Sequence, residues 1–168
     1  LILSRIELVS FSHSLFSVYE EDKRLTFLFE TNKAKIYADM DAIKLGVILD
    51  SLLSNAVKFT PDGGSIRLSL FYREETGLVD ICVSDTGSGI PPRDIPYIFQ
   101  RFFQSPHSGN KEGTGIGLYL VKTYTELHGG HITGVTSEEG KGTSVGLNIP
   151  VIAVEEEEIP ATQEKKRL

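Results

Sequence analysis

Three glycine-rich stretches stand next to residues able to hold a charged guest. "GTGIGL", at 113–118, spaces three glycines two apart and runs directly into "YLVKTYTEL", whose apolar residues recur at helical spacing. Alternating glycines admit positive φ and close backbone approach, and a helix start offers unpaired N–H groups, so the chemistry they suit is binding an anion such as phosphate. "DTGSGI", at 85–90, opens a second glycine turn on a carboxylate, and "GKGTS", at 140–144, is a third. Two phosphate cradles do not match. A Walker loop needs a lysine after its last glycine, and here Leu118 follows Gly117. A dinucleotide fingerprint sits after the first strand, whereas "DTGSGIPP" follows a late strand and runs into prolines.

A fourth stretch, "SLLSNAVKF", has helical rather than turn character. Ser51, Asn55, Lys58 and Phe59 fall at i, i+4, i+7 and i+8, so they share one helix face, opposite much of an apolar stripe made by Leu45, Ile48, Leu49, Leu52 and Ala56. "FQRFF", at 99–103, places Arg101 among phenylalanines.

The elements that must position these residues follow from hydrophobic period and turn signals. A weakly amphipathic helix is expected over 11–22, a strand in "RLTFLFE" with Leu25, Phe27 and Phe29 on one face, and a shorter strand in "AKIYAD". Asp39 or Asp41 then caps the helix over 41–59, which stops where Thr60 meets Pro61. "SIRLSLFY" and "GLVDICVSD" alternate around "REETG" as an antiparallel hairpin. A short helix over 93–103 and one over 115–128, ended by Gly129-Gly130, precede two closing strands, "HITGVTSE" and "TSVGLNIP". Paired strands with about three interspersed helices predict an α+β two-layer sandwich, a mixed and mostly antiparallel sheet of about five strands covered on one face, rather than a doubly wound parallel sheet.

At 168 residues this is about one domain, large enough to bury a core unaided. A net charge of −6 without a basic cluster on a helix argues against a nucleic-acid surface. Cys82 is the sole cysteine, so no disulfide contributes. No signal peptide and no membrane-length apolar run is present, so direct membrane contact by these residues is not expected.

The four separated elements, with "GKGTS", resemble in type and order the N, G1, F, G2 and G3 boxes of the ATP-binding catalytic domain of a sensor histidine kinase, of the Bergerat or GHKL superfamily. The resemblance covers about residues 5–150. It implies the Bergerat form of the two-layer sandwich, with ATP and Mg²⁺ as ligands. Asn55 resembles the magnesium ligand, a hard amide oxygen suited to an ion that keeps several waters. Lys58 adds positive charge near the phosphates, beside Phe59, and Arg101 faces them. Asp85 accepts the adenine amino proton, Gly87 and Gly89 let backbone approach the base, Ile90 supplies an apolar wall, and Thr143 completes the polar edge. Phe99 and Phe102 anchor their segment in the core. Gly113, Thr114, Gly115, Ile116, Gly117 and Leu118 form the hinge and N-terminal amides behind a lid, "QSPHSGNKE". At Ser51 the sequence departs from the asparagine usual there, and it also lacks the glutamate that resembling ATPases such as gyrase, MutL or Hsp90 use as a base for water.

By the same resemblance, the γ-phosphoryl goes to a histidine on an upstream dimerisation domain and then to an aspartate of a response-regulator receiver domain. "SHSLF" lacks the acid, arginine and proline of an acceptor motif, so His13 is expected to be an ordinary helix residue, with His128 and His131 exposed beside their glycine turn. Residues 1–10 are expected to be the remnant of the upstream dimerisation helix and linker, 11–152 the catalytic domain and 153–168 an acidic linker or tail. The fragment is expected to be a monomer and cytoplasmic, its parent a homodimer anchored in the bacterial inner membrane. Two alternatives share this fold: a non-catalytic nucleotide-binding interaction module, and a serine kinase of the anti-sigma-factor type.

Overall fold

The stripe from Leu45 to Ala56 becomes the core-facing side of a helix, α2 (Ala42–Phe59), in a computed structural model that describes residues 1–104 and 117–156. Of the two aspartates able to cap it, Asp41 does so: its Oδ1 accepts the Lys44 N–H at 3.1 Å. The helix stops at Thr60, which is extended before Pro61 and whose Oγ1 donates to the Ala56 carbonyl at 2.6 Å. Leu45, Ile48, Leu49 and Leu53 are fully buried, and each contributes roughly 1.5–3 kcal/mol by leaving water.

Around α2 the chain runs β1 (Ser4–Glu7), α1 (Leu8–Tyr19), β2 (Thr26–Thr31), β3 (Lys35–Met40), then after α2 β4 (Ser65–Arg73), β5 (Leu78–Asp85), a 3-10 turn (Ile95–Tyr97), α3 (Gly117–Leu127), β6 (His131–Glu138), β7 (Gly142–Pro150) and β8 (Ala153–Glu155). Five strands form one sheet in the order β2-β4-β5-β7-β6. β2 runs parallel to β4 and the other pairs are antiparallel. Strand alternation turns Ile66, Leu68 and Leu70, Val79, Ile81 and Val83, and Val145, Leu147 and Ile149 into one buried cluster with the helices' apolar sides. The α+β two-layer sandwich expected from the sequence is the fold observed. Phe16 of α1 meets Phe27 and Phe29 of β2 at ring-centroid distances of 5.7 and 5.8 Å.

Four details differ from the sequence-based expectation. First, no α-helix forms over 93–103. The chain there coils through successive three-residue bonds, from the Asp94, Tyr97, Ile98, Gln100 and Phe103 N–H groups to Pro91, Asp94, Ile95, Tyr97 and Gln100; Pro96 has no N–H to start the longer α-type bonds. Phe102 is consequently not a core anchor: it is 61% exposed with φ of 65°, while Phe99 does pack against the core. Second, α1 begins at Leu8 because Glu7 caps it. Third, a second sheet, β1-β3-β8, was not foreseen. It takes in Ser4–Glu7, where a helix remnant was expected, and Ala153–Glu155, where linker was expected. Fourth, His128 is part-buried and bonded rather than exposed, accepting the Asp41 N–H on Nε2 at 3.0 Å.

Candidate functional site

Asp85 is the last residue of β5 and lies opposite Thr143 of β7 in the sheet register. Its Oδ1 accepts two backbone N–H groups, from Gly87 at 2.8 Å and Thr143 at 3.2 Å. Burial pushes this carboxyl above the usual aspartate range, and the two N–H bonds pull against that shift. Both bonds fall on one oxygen, so among the described residues Oδ2 remains as an acceptor for a guest's N–H.

The glycine turn that follows is laced between the end of α2 and the β6–β7 turn. Ser88 donates its N–H to the Phe59 carbonyl at 3.1 Å and accepts one from Gly140 at 2.8 Å. A Cβ at position 87 would sit 2.5 Å from the Phe59 oxygen, so only glycine permits this approach. Gly89 has φ of +78°, and a Cβ there would collide with the Glu138 carbonyl. Ile90, partly buried, donates its N–H to Ser137 Oγ at 2.7 Å. Ser137 in turn donates to the Gly142 carbonyl at 3.2 Å and lies 2.8 Å from Thr143 Oγ1. Thr143 is thereby held by backbone and side chain beside Asp85. Sequence reasoning missed Ser137; counting back across the "EGKG" turn would have paired it with Thr143.

The second wall is the polar flank of α2. Ser51, Asn55, Lys58 and Phe59 are all partly buried along it, and the Lys58 ammonium lies 5.4 Å from the Phe59 ring centroid. The Asn55 side chain has no hydrogen-bond partner among the described residues. Gly117, at the described start of α3, faces this flank: a Cβ built on it would lie 3.6 Å from both Cβ and Oγ of Ser51. Leu118 packs against the core beside it. Of the five expected boxes the structure brings together the α2 flank, the Asp85 turn and the Thr143 turn, with Gly117 and Leu118 of a fourth whose other residues lie outside the described ones.

Arg101 is exposed, its guanidinium carbon 4.7 Å from the Phe102 ring centroid. Gly113, Thr114, Gly115, Ile116 and all of the expected lid except Gln104 lie outside the described residues. Asp50, beside Ser51, accepts a short hydrogen bond from the Tyr19 hydroxyl, which ties α1 to α2. Burial first, and then this carboxylate, push the Tyr19 hydroxyl well above the usual tyrosine range. Asp50 is therefore engaged away from Ser51, as the turn of the helix requires.

The chain matches the family model described as histidine kinase-, DNA gyrase B- and HSP90-like ATPase over residues 40–153. It is 33% identical over 149 residues to sensor histidine kinase WalK of Bacillus subtilis, a match covering 86% of this chain and 24% of WalK. It superimposes on full-length ShkA, determined in complex with AMPPNP, with a TM-score of 0.77 at 26% identity, covering 96% of this chain and 33% of that one. Histidine kinase ThkA, in complex with response regulator protein TrrA, has the same fold, with a TM-score of 0.72 at 22% identity over 89% of this chain and 42% of that one. The chain spans about a quarter of the length of WalK. With the family model matching most of the chain and a relative 33% identical over 86% of it, this chain belongs to the histidine kinase-, DNA gyrase B- and HSP90-like ATPase family.

Proposed function

We propose that this chain is the ATP-binding catalytic domain of a two-component sensor histidine kinase. A histidine ring nitrogen of an upstream dimerisation domain attacks the γ-phosphorus, the bond from that phosphorus to the bridging oxygen breaks, and ADP leaves; the phosphoryl then passes to an aspartate of a response-regulator receiver domain. WalK's name, the AMPPNP held by ShkA and the TrrA held by ThkA support this reading. The observation that carries it is Asp85, whose Oδ1 is consumed by two N–H groups while Oδ2 is left to accept the adenine amino group. Guanine presents a carbonyl there and would be repelled.

Each side chain then has a task. Gly87 and Gly89 bring backbone against the base, Ile90 and Phe59 flank it, and Thr143 fixes the edge beside Asp85. Lys58 and Arg101 neutralise the phosphates, and the amides at Gly113, Thr114, Gly115, Ile116 and Gly117 bind them. Mg²⁺ fits the donor set, because a single amide oxygen from Asn55 suffices for an ion that takes its other ligands from water and triphosphate; bound there it supplies charge neutralisation for phosphoryl transfer. Among the described residues no helix is long and apolar enough to cross a membrane, and in this reading the chain acts on the cytoplasmic side of a membrane-anchored, homodimeric parent.

Calorimetric titration with ATP, with and without Mg²⁺, tests the site. Asn55→Ala, which removes the oxygen donor, and Asp85→Asn should each weaken binding at least tenfold, the former only when Mg²⁺ is present. Unchanged affinity in both variants would falsify the assignment. Ser51 favours one second reading, a nucleotide-binding module that has lost transfer. Autophosphorylation by the full-length protein, compared with its Ser51→Asn variant, separates the two: a kinase labels its histidine with serine in place, and a module does not.

A further inference from the structure

One hydroxyl that no expected site residue accounts for stands behind Thr143. Ser137 is the residue of β6 that lies opposite Thr143 of β7 in the sheet register, and it is partly buried. Three groups meet its Oγ: the Ile90 N–H at 2.7 Å, the Gly142 carbonyl at 3.2 Å and Thr143 Oγ1 at 2.8 Å. A hydroxyl has one proton and two lone pairs, and two of these neighbours leave no choice of direction. The Ile90 N–H can only donate, and the Gly142 carbonyl can only accept. With the single Ser137 proton given to Gly142, the second lone pair is filled only when Thr143 donates. The opposite direction, from Ser137 to Thr143, would take this donor from the Gly142 carbonyl and leave a Ser137 lone pair empty. The arrangement that satisfies every group therefore holds the Thr143 proton on the Ser137 side. Thr143 Oγ1 then has lone pairs, and no proton, to offer a guest.

We propose that Ser137 is a positioning residue for base recognition: by holding the Thr143 proton it makes that hydroxyl a second acceptor beside Asp85, so that the pair selects a base carrying an exocyclic amino group. This deepens the nucleotide reading above and rests on it. The Asp85 carboxylate offers the first acceptor, since its Oδ1 is taken by the Gly87 and Thr143 N–H groups at 2.8 and 3.2 Å. Ser137 supplies the second only indirectly, through the direction of one hydrogen bond. Its own position is set from both sides of the crevice. The Gly140 N–H donates to the Ser88 carbonyl at 2.8 Å, and Gly89 lies so close to the Glu138 carbonyl that a Cβ could not be placed there. These contacts keep the end of β6 against the 85–90 turn, within reach of the Ile90 N–H. Ser137 thus joins the apolar wall at Ile90 to the polar edge at Thr143, and a change at either is felt by the other.

The test measures binding of two nucleotides to the full-length protein by calorimetry in the presence of Mg²⁺: ADP, and purine riboside diphosphate, which has hydrogen in place of the amino group. Neither can give up a γ-phosphoryl, so no transfer intervenes. Ser137→Ala frees the Thr143 proton to turn toward the guest. ADP affinity should then fall about three- to tenfold, the worth of one neutral hydrogen bond, while the analogue loses less than about twofold. Ser137→Thr, which keeps the hydroxyl, should restore the wild-type ratio of the two affinities. Thr143→Val should lower that ratio by itself, and adding Ser137→Ala to it should lower the ratio no further, because the serine acts through the threonine. Equal losses for both nucleotides in Ser137→Ala, an unchanged ratio in Thr143→Val, or a further fall in the double variant would each overturn the proposal. Asp85→Asn separates this failure from that of the nucleotide reading. If Asp85→Asn weakens ADP while Ser137→Ala leaves the ratio unmoved, only the role of Ser137 is lost; if the wild type binds neither nucleotide, both fall.

Discussion

Asp85 carries two demands that pull in opposite directions. In the proposed reading function asks for an ionised carboxylate beside the base, and folding asks for as little buried charge as the site allows. Burial raises its pKa above the ordinary aspartate value, and the Gly87 and Thr143 N–H groups only partly restore it. A raised aspartate pKa means the folded state binds more protons than the unfolded one between the two values, so the ionised group costs stability above its folded pKa and that cost is relieved as pH falls. Asp85→Asn should accordingly melt no lower than the wild type at pH 7 without nucleotide. A hydrogen bond to a charged group is worth about 1.5–3 kcal/mol, so the same variant should lose roughly ten- to a hundredfold in ATP affinity by calorimetry. For the unmutated chain, ATP affinity should fall as pH drops through the Asp85 titration while Mg²⁺ is held constant. Gly87→Ala behaves differently, because its Cβ would meet the Phe59 oxygen at 2.5 Å. Crowding of this kind costs about 1–3 kcal/mol, and thermal melting should show that loss together with weaker ATP binding.

Helix ends are where single side chains decide whether whole elements stay in place. Glu7 caps α1 and also takes the Ile36 N–H from β3. Burial alone would raise its pKa, yet the bonds from Ile36, Ser10 and Val9 hold it below the usual glutamate range. A depressed carboxylate stabilises the fold above its unfolded pKa and loses that contribution as pH falls through the folded value; Glu7→Ala, losing a cap worth about 1 kcal/mol, should therefore destabilise at pH 7 and make little difference near pH 2. His128 likewise closes α3 onto the start of α2: Nδ1 lies 2.6 Å from the Tyr124 carbonyl and Nε2 accepts the Asp41 N–H, which assigns the neutral tautomer with hydrogen on Nδ1. In His128→Ala the Asp41 amide should exchange with solvent faster than in the wild type, read by amide hydrogen exchange. The sequence shows α2 clearly, because Leu45, Ile48, Leu49 and Leu52 repeat at helical intervals within one window, and it shows the β4–β5 hairpin for the same local reason. His128 is not legible that way, since its partner is 87 residues distant. Nor is β8, where acidic composition suggests linker until Val154 is seen opposite buried Ile36. Within the site, the turn at Asp85, Gly87 and Gly89 is legible from turn chemistry, the site roles of Asp85 and Thr143 only from resemblance to the family's boxes; Ser137 needed the register of β6 against β7, and the course of Arg101 the bond that Pro96 cannot make.

On the scale of the whole molecule, α2 separates two regions with different work. Its 18 residues span about 27 Å, with the Asp41 cap and the small sheet at one end and Asn55, Lys58 and Phe59 at the other. The small sheet is closed by β8 through the Ala34 N–H to Glu155 carbonyl bond at 3.0 Å, the Ile152 N–H to Tyr37 carbonyl bond at 2.8 Å and the Lys33–Glu156 pair at 2.6 Å. None of these residues touches the Asp85 turn, so stability and nucleotide binding should respond independently to loss of β8. A ligand that binds only the folded state stabilises it by about 2.7 kcal/mol at a hundredfold excess over Kd, which corresponds to roughly 5–10 °C in Tm for a domain of this size. A chain ending at Val151 should melt several degrees below the complete one, because β3 loses one of its two partner strands, and should still gain that full increment when Mg·ATP is added at a hundred times Kd. Asp85→Asn, measured at the same ATP concentration, should start at or above the wild-type Tm and gain far less. If the shortened chain also lost the ATP-dependent increment, the two ends of α2 would be energetically coupled, and the separation drawn from its contacts would be refuted.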